Sequence, residues 1–173
     1  MNSNRAFIVS LAATSLLLSS LPSTAAWLYE SNESAFEESD TVHMAVTVGM
    51  YGGFGVRCQD EEMKAVYILA DANFDRDTIE RSNRMKAMKL KLRVDKDEIL
   101  TLDALGSLGD GGSFVLTSNV TRLQVEQFRQ AKKNIAVAVA ILGRNYYEDK
   151  LSVTGSTSAV GSVIKHCFAE SDN

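Results

Sequence analysis

Met88-Lys89-Leu90-Lys91-Leu92-Arg93-Val94 alternates four apolar side chains with three cations without a fault. A period of two is that of a β-strand with one face in a core and the other in water. After the turn at Lys96-Asp97, the segment Glu98 to Leu105 pairs back against it, which makes the sheet antiparallel. Outward from this hairpin the same period recurs. Val42, Met44, Val46, Val48 and Met50 alternate with His43, Ala45, Thr47 and Gly49, a pattern that sends His43 to solvent. Phe54, Val56 and Cys58 share one face of the next strand, and Met63–Leu69 and Phe114–Ser118 read as further strands. Ile135, Val137, Val139 and Ile141 alternate with Ala136, Ala138 and Ala140, small residues that let another backbone come close. Tyr147 to Thr154 reads as one more strand.

The last third changes period. Thr121 followed by Gln124 forms a capping box, and Val120, Leu123, Phe128 and Ala131 give the following helix an apolar side. Val160, Val163, Ile164 and Cys167 recur at helical spacing, with Ser156 as the cap of this terminal helix. Asp71–Arg84 reads as a polar connection with room for a hairpin tip or one helical turn. Gly106–Gly112 reads as a loop. The expected fold class is α+β: a mainly antiparallel sheet or sandwich with two helices in the C-terminal half.

Met1–Ala26 has the form of a secretory signal peptide: Arg5, an apolar run from Ala6 to Leu21, a break at Pro22, then small residues up to Ala26. The run is interrupted by serines and falls short of the roughly 20 apolar residues of a spanning helix. Cleavage after Ala26, or alternatively Ala25, leaves residues 27–173 as a single exported domain, periplasmic or secreted, with no membrane span. In an oxidising compartment the chain's two cysteines read as a pair. Cys58 lies on the apolar face of its strand and Cys167 on the apolar stripe of its helix, so both sulfurs point inward toward a bridge.

Composition narrows the function classes. The 173 residues are 45% hydrophobic and 23% charged with a net charge of -4, a globular profile without the basic surface of a nucleic-acid binder. Asp71, Asn73, Asp75 and Asp77 have the oxygen spacing that opens a calcium loop. Arg76 then stands where the loop needs glycine, and Ser82 where it needs a bidentate glutamate, so this is a weak metal candidate. Gly49, Gly52, Gly53 and Gly55 lie between strands and open no helix, which suits a hairpin better than a phosphate cradle. No arrangement of nucleophile, base and acid is recognisable, so the expectation is a protein without catalysis or cofactor. Lys89, Lys91 and Arg93 share the solvent face of their strand and form a candidate face for an anionic partner, unless Asp103 and Glu98 across the strand neutralise them.

Trp27 after the leader, Phe54-Gly55-Val56-Arg57-Cys58, Val66-Tyr67-Ile68, Leu92-Arg93-Val94-Asp95, Phe128 to Val137, and Val153-Thr154-Gly155-Ser156 leading to Cys167 follow one another in an order. That order resembles the type VI secretion-associated periplasmic proteins of the VasI/TagO-like family. The resemblance implies a non-enzymatic accessory protein that binds another envelope protein. The alternative for so small and site-poor a chain is a periplasmic inhibitor or immunity protein against a cell-wall-active enzyme.

Overall fold

The computed structural model describes residues 26–32 and 41–168; of the expected leader Met1–Ala26, residues 1–25 lie outside the described residues. The elements follow in the order β1 (Leu28–Asn32), β2 (Val42–Val48), β3 (Gly52–Gln59), β4 (Glu62–Leu69), α1 (Arg76–Arg84), β5 (Met88–Val94), β6 (Leu100–Asp103) and β7 (Leu105–Leu108). Then come β8 (Phe114–Asn119), α2 (Arg122–Gln130), β9 (Ile135–Ile141), β10 (Arg144–Leu151) and α3 (Ser156–Cys167). They build a six-stranded sheet, β1-β2-β3-β4-β8-β7, and a four-stranded sheet, β10-β9-β5-β6. Every strand pairing is antiparallel. The inner faces of both sheets share one core with α2 and α3, in which the Phe54 ring meets Tyr67, Phe128 and Trp27.

β5 behaves as its period demands: Met88, Leu90, Leu92 and Val94 are buried and the cations between them face outward. Its pairing with β6 is the expected hairpin, but the expected strand Glu98 to Leu105 is cut at Ala104. There the chain leaves the small sheet and enters the large one as β7, which takes in the first residues of the expected glycine loop. Ala104 is buried at this corner, and its N–H donates to the Met88 carbonyl at 3.2 Å.

Four further departures have local causes. The polar connection holds a full helix, α1, because Asp75 caps it, its carboxylate accepting from the Thr78 N–H at 2.8 Å. α1 buries only Ile79 and Ser82, so it carries no apolar stripe to read. Asn83 extends the large sheet: its side-chain amide donates to the Gly106 carbonyl and accepts from the Gly106 N–H, occupying the edge of β7. A strand, β1, precedes the first expected one, held by Trp27, whose Nε1 donates to the Ser152 carbonyl at 2.7 Å. Ser156 does not cap α3; Gly155 does, in the left-handed region (φ 81°), where a side chain would also crowd the Trp27 carbonyl. The Ser156 hydroxyl is instead buried without a partner.

The fourth departure matters most. β2 runs in the opposite phase to the expected one: Ala45 and Thr47 are buried while Val48 is exposed. The pairing His43↔Cys58 puts His43 on the same side as the inward cysteine. The larger apolar residues of β2 therefore face away from the core. The Cys58–Cys167 disulfide forms as expected, with the Cα atoms 5.8 Å apart, and joins β3 to the last turn of α3. The capping box of α2 is present, Thr121 and Gln124 satisfying each other's backbone N–H groups, but the helix buries Val125 and Phe128, and Leu123, expected on its apolar side, is exposed.

Candidate functional site

The outward face of the four-stranded sheet follows from register. Ala140, Ala138 and Ala136 of β9 stand beside Lys89, Lys91 and Arg93 of β5, and Asn145 and Lys150 of β10 flank the alanines from the other side. Small residues in the middle and long ones on both margins make a trough of about 540 Å³, floored by Ala136 and Ala138 and edged by Ile99 and Met50.

The three expected cations have different fates. Lys89 is ion-paired with Asp103, its register partner on β6, and that pairing holds the Asp103 carboxyl below its usual range. Lys91 donates to the Asn145 side-chain carbonyl at 2.8 Å, and Asn145 in turn donates to Glu148 at 2.7 Å, a chain that crosses the alanine strip. Arg93 is exposed and, among the described residues, has no carboxylate within 4.0 Å; neither has Lys150, on the far side of Ala136. Glu98 plays no part in the balance. Asp103 thus neutralises one end of the face, and the other end keeps its positive charge.

Two more lysines extend that charged end. Asp95, just past β5, accepts hydrogen bonds from the backbone N–H groups of Lys132 (2.9 Å), Lys133 (2.7 Å) and Asn134 (3.1 Å). These donors, Lys132 first, hold its carboxyl below the usual range. They also fix the loop from which both lysine side chains project, beside the end of β5. Sequence reasoning missed Lys132, Lys133 and Lys150, because their nearness to Arg93 depends on pairing across β9.

The far wall is shaped by a bulge in β10, where the register slips between Tyr146 and Asp149. Tyr147 sits there at φ 51°, and its carbonyl accepts from the Tyr67 hydroxyl at 3.1 Å. Burial, and then the nearby Asp149 charge, push the Tyr67 phenol well above its ordinary value. Asp149 is buried and accepts from the Tyr51 N–H at 3.2 Å, pinning the β2–β3 hairpin to the small sheet and setting Met50 at the rim. Gly49 leaves room for it: an added Cβ would lie 2.1 Å from the Asp149 Oδ2.

Elsewhere, Asp75 of the calcium-like run spends both carboxylate oxygens on Thr78, whose side-chain hydroxyl and N–H hold its carboxyl below the usual range. No group of three or more His, Cys, Asp or Glu that could hold a metal occurs among the described residues. The two histidines, far apart in sequence, are stacked with ring centroids 4.8 Å apart, and Tyr29 hydrogen-bonds the His43 Nδ1 at 2.8 Å. This stack stands beside the disulfide and clamps α3 to β1 and β2.

No protein-family model matches this chain, and no curated protein matches it. Among solved structures, it is similar to invasion associated protein B from Bartonella henselae, with a TM-score of 0.50 and 11% identity, over 83% of this chain and 93% of that one. At that identity the likeness is one of fold: an antiparallel α+β domain of the same extent. Among the described residues no helix is long and apolar enough to cross a membrane.

Proposed function

We propose that this is an exported, non-enzymatic binding protein of the bacterial envelope, and that it docks a negatively charged segment of another envelope protein in the alanine-floored trough. The carrying observation is that Arg93 and Lys150, on either side of Ala136, have no carboxylate within 4.0 Å among the described residues, while the trough's own carboxylates, Glu148 and Asp149, accept from Asn145 and from the Tyr51 N–H; Lys132 and Lys133 lie beyond, beside Asp95. Small floor residues admit a backbone, and cations on both margins supply its counter-charge. Export is supported by the leader-like N-terminus and by the disulfide, which persists in oxidising compartments. The resemblance to the VasI/TagO-like proteins carries the finer proposal that the assembly served is a type VI secretion system.

The test compares envelope association of the intact protein with that of Arg93→Gln/Lys150→Gln, by crosslinking in cells and co-sedimentation at rising salt. Both side chains reach into solvent, so folding is kept. Association should fall in the double variant and weaken with salt in the parent. Lys89→Gln should change little, because that charge is already spent on Asp103. Association that is indifferent to the double substitution overturns the proposal. A deletion strain that secretes normally removes the secretion role alone.

A further inference from the structure

The reversed phase of β2 leaves the outward face of the six-stranded sheet apolar. One register row across it reads Leu28, Val46, Gly55, Val66, Thr117, Leu105 from β1 to β7. The next row includes Val48, Gly53, Ile68 and Val115. Leu28, Val48, Ile68 and Leu105 are 59%, 63%, 42% and 61% exposed, and no described element lies over them. A contiguous apolar patch of this kind marks an interaction surface.

We propose that the occupant is a second copy of this chain, packed face to face about a two-fold axis that runs along the strands between β3 and β4. The register makes the face complementary to itself about that axis. Rotation keeps each row and exchanges β3 with β4, so Ile68 of each copy lands on Gly53 of the other. Gly53 is an open notch: an added Cβ would meet nothing nearer than the Thr47 carbonyl at 3.8 Å. The same rotation sets Val48 over Val115, and Leu28 on the side of Leu105. Sheets packed this way align within about 30°, which keeps the pairs near the axis and loosens those at the edges. Six strands about 4.8 Å apart give a face of on the order of 500–700 Å² per copy, near the lower limit for a stable interface. An interface of that size fits weak self-association.

A charged row closes one end of the patch. There Arg57 of one copy falls near Lys64 of the other, and each has acidic residues of its own chain nearby: Glu62 lies 3.1 Å from Lys64, Asp60 and Glu62 share a surface hollow with Arg57, and Glu30 ends the row on β1. These rim charges offset one another within each copy and are screened by salt. Dimerisation through the apolar rows should therefore persist as salt rises, whereas binding in the trough should weaken, so the two proposals stand or fall separately.

Sedimentation equilibrium of the purified protein, from low micromolar to several hundred micromolar and at two salt concentrations, tests it. A concentration-dependent monomer–dimer equilibrium that persists in high salt is expected. Ile68→Glu should shift the dissociation constant upward by at least tenfold, whereas Leu123→Glu, on the exposed side of α2, should leave it unchanged. Should Ile68→Glu fail to fold by circular dichroism, Ile68→Cys decides. The two new thiols lie next to the axis, and a short bismaleimide should join them into a covalent dimer. A parent that stays monomeric throughout, an Ile68→Glu variant that dimerises like the parent, or an Ile68→Cys variant that gives no crosslink overturns the proposal.

Discussion

Replacing Cys58 and Cys167 together by alanine tests what holds the two ends of this fold in register. The bridge closes a loop between residues 109 apart, and in the chain-entropy description a loop of about 100 residues is worth about 4.7 kcal/mol. Both cysteines are buried, so losing the sulfurs adds about 1–2 kcal/mol of packing. A loss of about 5–7 kcal/mol consumes most of the 5–15 kcal/mol by which an ordinary domain is stable. α3 would still bury Ala159, Val160, Val163 and Ile164, so the variant should fold, but near its limit. Urea unfolding followed by fluorescence measures this directly, because the chain's single tryptophan, Trp27, is buried against Phe54 and reports on the core. Reduction of the parent protein keeps the sulfur atoms, so the difference between reduced parent and double alanine isolates the packing part. A cooperative transition with a total loss under about 2 kcal/mol would refute the reasoning, since the bridge would then not be restricting the unfolded chain.

Three further outcomes follow from the site and its supports. Gly49→Ala should cost about 2 kcal/mol in urea melts, because its Cβ displaces Asp149 and breaks a charged hydrogen bond to the Tyr51 N–H; the same change at Gly111, whose surroundings are open, should cost less despite its positive φ. Tyr67→Phe should cost about 1–2 kcal/mol by orphaning the Tyr147 carbonyl, and ultraviolet titration of the parent should show one phenol that stays protonated well above pH 10 until the protein unfolds. Asp75, Asp95, Asp103 and Glu126 are all held below their ordinary values, so the stability they add is present above about pH 4 and is lost as pH falls through the depressed values; an acid limb in the melting temperature that begins above pH 6 would contradict that assignment.

Legibility from sequence tracked how one-sided each segment is. β5 alternates strong hydrophobes with cations, so its phase admits one reading, and the inward sulfurs of Cys58 and Cys167 follow from the same logic on a strand and a helix. β2 alternates valine and methionine with alanine and threonine, a contrast too small to orient it. There the pairing to β3 decides, and it turns the smaller residues inward. α1 escaped because a helix resting on one isoleucine carries no stripe, and β6 and β7 read as one strand because the corner at Ala104 contains neither glycine nor proline. Of the trough, β5 supplied its three cations from sequence alone. Which of them stay uncompensated depends on Asp103, Asn145 and Lys150, neighbours that only the pairing of β6 and β10 brings into place.

The two sheets share a core yet present unlike outer faces, and the reason lies in the residues that alternate with the buried ones. On β5 and β9 the outward set is lysine, arginine and alanine; on β2 and β4 it is chiefly valine, isoleucine and methionine. Water tolerates the first set indefinitely and leaves a trough that can receive a charged chain. It penalises the second at roughly 25 cal/mol for each Å² left uncovered, so that face gains from burial against another surface. The alanine floor of the trough lies on the other sheet from the apolar face, and only its Met50 rim comes near the proposed interface, two residues from Val48. A two-fold pair then carries two troughs on separate flanks, which cannot both lie against one flat surface. Such an arrangement links two partners rather than gripping one twice, and tethering a second contact raises its effective concentration only where both can be engaged together. Should both proposals hold, weak self-association and a salt-sensitive trough would together make a bridging protein.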